Sequence, residues 1–176
     1  MKTNIALIGF MGTGKTAVGQ VLAKQLGRDF IELDLSVEQK AGKSIPEIFQ
    51  QDGEIAFREL EIEVTKEITG RKRSVFACGG GIVLNKINVD RLRESSVMVY
   101  LTASPEVILK RVSKEEGQRP LLSASDKAAK IEELLRFRQP FYKRAADIKL
   151  DTSKLDINSV AEQIIKKMKQ DESFTF

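Results

Sequence analysis

Apolar positions along the chain follow two rhythms, and their alternation predicts the architecture. Asn4 to Phe10 is a short run rich in isoleucine and leucine that ends in glycine, as a buried strand entering a loop would. Val18, Val21, Leu22 and Leu26 then recur at helical spacing, so a helix is expected over Lys15 to Leu26 with Gly27 as its stop. Phe30 to Asp34 reads as the second strand. From Ile45 to Thr69 the pattern is helical, interrupted near Asp52-Gly53, with Ala56, Leu60, Val64 and Ile68 on one side of the second part. Val75 to Cys78 and Val97 to Leu101 are compact β-rich runs, each followed by glycine or Ser-Pro punctuation and a helical segment. A helix is expected over Asp126 to Arg138, a short strand over Ile148 to Leu150, and a closing amphipathic helix marked by Val160, Ile164, Ile165 and Met168.

Five strands alternating with helices imply an α/β fold, a parallel sheet covered on both faces, because parallel neighbours need crossover connections. The 176 residues suit one domain. Ser113 to Ala124 is the one polar stretch long enough for a flap, and Asp171 to Phe176 is expected to be a frayed tail.

Composition removes several functions. The longest apolar stretch, Ile5 to Met11, is far shorter than a membrane span, and no charged n-region with an apolar core precedes it, so neither membrane insertion nor export is expected. A single cysteine, Cys78, cannot form an internal disulfide; it reads as a small filler of a buried strand and fits a cytoplasmic setting. The net charge of +4 comes from basic residues interleaved with acids, so no nucleic-acid partner is expected. With no histidine, His relays and His metal sites are excluded.

Gly9-Phe10-Met11-Gly12-Thr13-Gly14-Lys15-Thr16 matches the phosphate-loop pattern G-x-x-x-x-G-K-[ST] between an expected strand and an expected helix. Glycines let the backbone curl so that successive N–H groups, from Gly12 through Ala17, face a phosphate at a helix N-terminus. Lys15 is placed to bridge the outer phosphates and Thr16 to ligate Mg²⁺. The motif alone leaves a kinase, a GTPase and a non-catalytic nucleotide switch open.

Further along stand Ser44-Ile45-Pro46-Glu47-Ile48-Phe49, Gly53-Glu54, Phe57-Arg58-x-x-Glu61, Gly79-Gly80-Gly81, Arg119-Pro120-Leu121-Leu122, and Arg138 ahead of Pro140-x-Tyr142. With the phosphate loop and Asp34, this set resembles the shikimate kinase family from about Asn4 to Ile165. The resemblance implies a P-loop kinase fold, Mg²⁺ as cofactor, ATP and shikimate as substrates, and a monomer. Arg58 and Arg138 would clamp the substrate carboxylate, Asp34 would hold the ring hydroxyls and act as base, and Gly79, Gly80 and Gly81 would let backbone approach the substrate. Phe49 and Phe57, core residues by composition, wall the pocket in the family. Arg119 would be the lid arginine over the phosphates, while Arg111 and the Asp151-Thr152-Ser153 segment occupy the adenine end, with Ser153 a contact. Glu32 stands where the family commonly has an aspartate that holds the magnesium shell, one methylene longer. Glu54, Arg58 and Glu61 also read as a helical charge ladder. Another small hydroxy acid, such as gluconate or quinate, remains an alternative acceptor.

Overall fold

Strand β1 (Asn4–Ile8) is buried along its whole length. Its companions are β2 (Asp29–Glu32), β3 (Ser74–Ala77), β4 (Ser96–Thr102) and β5 (Ile148–Asp151). All pairings are parallel, in the order β2-β3-β1-β4-β5. The computed structural model describes residues 1–114 and 127–176.

Side chains alternate across the sheet as the pleat requires. Ile5 and Leu7 join Val97, Val99 and Leu101 in one core, which α1 (Lys15–Leu26) and α8 (Ile157–Met168) cover. Ala6 and Ile8 join Met98 and Tyr100 in the other. That second face is covered by α2 (Leu33–Ala41), α3 (Ile45–Gln51), α4 (Gly53–Thr69), α5 (Lys86–Ser95), α6 (Pro105–Lys114) and α7 (Lys127–Ala145). Both faces are thus apolar, which explains why the inner strands β1, β3 and β4 read as nearly continuous hydrophobic runs. The expected break at Asp52-Gly53 is real: Gly53 takes φ 86° between α3 and α4. A capping box starts α3, the Glu47 N–H donating to Ser44 Oγ at 3.4 Å and the Ser44 N–H to Glu47 Oε2 at 2.8 Å.

Four expectations change. The second strand stops at Glu32 and α2 begins at Leu33, because Leu33 and Val37, one helical turn apart, are both buried. The helix expected to close at Arg138 runs through Pro140 to Ala145. Pro140 takes one N–H from the ladder, yet the turn beyond it is anchored by the buried Tyr142 and Ala145. Of the polar stretch 113–124, Ser113 and Lys114 finish α6 and the remainder lies outside the described residues.

The C-terminal segment does not fray. Phe174 pairs with Lys2 as a parallel bridge, the Lys2 N–H donates to the Ser173 carbonyl and the Thr175 N–H to the Lys2 carbonyl, both at 2.9 Å. Arg28 donates to the carbonyls of Thr3 and Thr175 and lies 4.8 Å over the Phe174 ring. An aromatic anchor and a cation over its face turn a polar hexapeptide into a clasp. Phe174→Ala is expected to lower stability by about 2–4 kcal/mol in urea unfolding, with turnover of the folded protein unchanged.

Candidate active site

The phosphate loop begins where β1 ends. Gly9, Gly12 and Gly14 take φ values of 148°, 73° and 93°, a path that side chains resist. Gly14 caps α1, whose first turn contains no acid and no side-chain cap, so its N–H groups stay available to an anion. Thr13 turns inward, its hydroxyl donating to the Phe10 carbonyl at 2.8 Å. Lys15 Nζ donates to the carbonyls of Gly9 and Phe10, each at 2.9 Å. The ammonium is thereby held over the loop.

Thr16 Oγ1 donates to Glu32 Oε1 at 3.1 Å, so the longer acid reaches the loop threonine. Among the described residues, no group of three or more His, Cys, Asp or Glu could hold a metal ion. The pair fits a small hard cation with one hydroxyl and one carboxylate, the other ligands coming from water and phosphate oxygens.

On the acceptor side, the three glycines after β3 show what they face by what a side chain there would strike. A Cβ at Gly79 would fall 2.6 Å from Asp34 Oδ1, one at Gly80 3.4 Å from Arg138 Nη1, and one at Gly81 2.7 Å from Arg58 Nη2. The Gly80 position also lies 3.8 Å from the Gly9 carbonyl oxygen and the Met11 nitrogen. Four chain segments therefore meet beside the phosphate loop at the C-terminal edge of the sheet, where ligands of parallel sheets bind. Asp34 arrives from the first turn of α2 instead of a strand end, Arg58 from α4 and Arg138 from α7. Phe57 is buried and Phe49 is 40% exposed, their ring centroids 4.8 Å apart, with the Arg58 guanidinium 5.1 Å over the Phe57 ring.

Glu61 is the residue whose role sequence reasoning missed. Its side chain is 1% exposed and accepts from Arg58 Nη1 at 3.2 and 3.1 Å, one bond to each oxygen, and from Asn88 Nδ2 at 3.4 Å. Glu54, the other acid of the ladder, lies 3.5 Å from Arg58 with its side chain 67% exposed. Half of the ladder is a surface feature and half is a buried brace. Burial pushes the Glu61 carboxyl above its ordinary range, and nearby Asp34 adds to that, while Arg58 and Arg138 pull the other way.

Arg111 connects the loop to the sheet's far edge. It donates to the Gly12 carbonyl at 3.0 Å and to the Thr152 hydroxyl and carbonyl at 3.1 and 2.9 Å. Thr152 Oγ1 in turn donates to the Thr13 carbonyl at 2.9 Å. Ser153 Oγ accepts from the Ser104 N–H at 2.9 Å. A cleft of about 470 Å³ is lined by Phe10 and Thr13 of the phosphate loop with Tyr100, Ser104, Leu135 and Gln139, and by none of the acceptor-side residues. Arg119 lies outside the described residues.

A family model described as shikimate kinase matches residues 11–169. Shikimate kinases of Thermodesulfovibrio yellowstonii and Caldanaerobacter subterraneus are 48% and 47% identical over 163 residues, covering 93% of this chain and 93% and 94% of theirs. The structure of shikimate kinase from Acinetobacter baumannii in complex with shikimate superposes with a TM-score of 0.90 at 36% identity, covering 98% of this chain and 96% of that one.

Because the folded state raises the affinity of Glu61 for a proton, it holds that proton at a pH where the unfolded chain has released it. The contribution of Glu61 to stability thus falls as pH climbs from its ordinary 4.5 through the raised value, then levels off. Glu61→Gln lacks this slope. Thermal melts across that range are expected to show the variant's melting temperature, relative to the parent, improving as pH rises; a difference independent of pH would refute the assignment.

Proposed function

The chain belongs to the shikimate kinase family, and from that premise we propose that it transfers the γ-phosphoryl of ATP to the 3-hydroxyl of shikimate, giving shikimate 3-phosphate and ADP. The observation that carries this reading is the meeting of Asp34, Arg58 and Arg138 on Gly79 to Gly81 beside the phosphate loop.

Each group has a distinct task. Arg58 and Arg138 offer planar, charge-assisted donors to the substrate carboxylate, and Glu61 fixes the direction of Arg58. Asp34 accepts hydrogen bonds from the ring hydroxyls and takes the proton of the attacking one. In a loose transition state little proton has moved when the bond to phosphorus forms, so orienting the hydroxyl matters as much as basicity. Lys15 exchanges the Gly9 and Phe10 carbonyls for the β and γ phosphate oxygens. Thr16 and Glu32 would hold Mg²⁺, which when bound supplies neutralisation of phosphate charge. Arg119 stabilises charge on the transferring group. Arg111 and Ser153 border the adenine.

The reading extends to a monomer working in the cytoplasm. It is supported there by a single cysteine, Cys78, buried and pushed up to about 12, an unreactive thiol. No helix of the described residues is long and apolar enough to cross a membrane.

Coupled ADP release with shikimate, quinate and gluconate tests the acceptor. Shikimate is expected to give the highest kcat/KM; a higher value for either rival would sink the assignment. In the same assay Lys15→Met is expected to abolish turnover, whereas Arg58→Ala raises the shikimate KM by about 10- to 100-fold with a smaller loss in kcat.

A further inference from the structure

We propose that Tyr142 is a positioning residue of this reaction: its hydroxyl holds the Gly80 carbonyl and so fixes the glycine loop against the Arg138 guanidinium of the carboxylate clamp.

Among the described residues Tyr142 heads the fully buried side chains by volume, and its ring stacks on Tyr100 with centroids 5.0 Å apart and planes 21° from parallel. A buried phenol needs a polar partner, and its hydroxyl donates to the Gly80 carbonyl. That carbonyl shares a trans peptide with the Gly81 N–H, and the two point opposite ways. Holding the oxygen on the α7 side therefore turns the N–H away from α7. One bond orients the peptide that separates the Arg138 side of the loop from its Arg58 side.

Arg138 precedes Tyr142 by one turn of α7, and its Nη1 lies 3.4 Å from where a Gly80 Cβ would sit, so the two side chains meet the same glycine. Among the described residues Arg138 forms no ion pair with a carboxylate, and its buried Nε has no hydrogen-bond partner. Arg58, by contrast, is braced by the Glu61 carboxylate. The two clamps differ in their surroundings: Arg58 is paired with an acid that partly neutralises it, whereas Arg138 lies against a glycine whose carbonyl a neutral phenol holds, which leaves its charge to the substrate. Burial pushes the Tyr142 phenol up to about 12, so it remains a neutral donor throughout the working range.

The proposal rests on the reading that Arg138 binds the shikimate carboxylate, and a double-substitution cycle separates the two. Tyr142→Phe keeps the ring and its stack. It is expected to raise the shikimate KM about 5- to 20-fold, leaving the ATP KM within about twofold. In an Arg138→Lys background the same change is expected to alter the shikimate KM by less than about twofold. An unchanged shikimate KM in Tyr142→Phe, even with a lowered melting temperature, would make the residue merely structural and overturn the proposal. An undiminished increase in the Arg138→Lys background would overturn the coupling, and Arg138→Lys alone with a normal shikimate KM would refute the clamp beneath it.

Should Tyr142→Phe fail to fold, the chain's two tyrosines allow another readout. In Tyr100→Phe protein labelled with 3-fluorotyrosine, Tyr142 gives the single fluorine resonance. Saturating shikimate is expected to shift it and ADP alone to leave it in place; no shift with shikimate overturns the proposal.

Discussion

A Cβ at Gly9 would lie 2.3 Å from the Leu101 carbonyl oxygen and 3.0 Å from Thr13 Oγ1. The central strand can leave the sheet at this point only without a side chain, and the rest of the site follows from that exit. Because β1 is the middle strand, the phosphate loop opens midway along the sheet's C-terminal edge. The glycine loop after β3 then lies to one side, and Thr152 and Ser153 after β5 to the other. Strand order thus sets the glycine loop and its charged neighbours on the β3 side, the phosphate loop in the middle and the Thr152-Ser153 segment towards β5.

The acceptor side gathers three half-buried charged groups around one buried acid. Asp34, Arg58, Glu61 and Arg138 influence one another there, and the raised Glu61 carboxyl registers how strongly burial disfavours an anion even beside a guanidinium. Glycine is needed at the contact for a steric reason. Even a methyl group at Gly79 or Gly81 would press on Asp34 or Arg58, so the loop supplies backbone where any side chain would displace one of these two charged groups.

The phosphate loop was legible in the sequence because its function resides in consecutive residues and their backbone. The inner strands β1, β3 and β4 were legible because burial on both faces makes them apolar runs. Asp34, Arg58, Gly79 to Gly81 and Arg138 are far apart in the chain and were brought to one site by likeness to a family, since no periodicity predicts that three helices and a loop converge. Local pattern failed where tertiary contact decides. Leu33 continues the alternation of a strand but begins a helix, Pro140 signals a stop that packing overrides, and the tail's anchor is one phenylalanine meeting Arg28 from the other end of the chain. Glu61 was visible as an acid three residues after an arginine, a pattern shared with exposed ladders. Its burial, which gives it a role, comes from Asn88 and the neighbouring helix α5.

Sheet edges are commonly where a fold absorbs sequence drift, since an outer strand has a single neighbour to satisfy. Here β5 is such an edge, yet the residue that follows it, Thr152, is tied to Thr13 directly and to Gly12 through Arg111. Any slippage of β5 against β4 would pull on the carbonyls that give the phosphate loop its curvature. The periphery of this sheet therefore inherits the evolutionary constraint of its centre, and variation must be accommodated elsewhere.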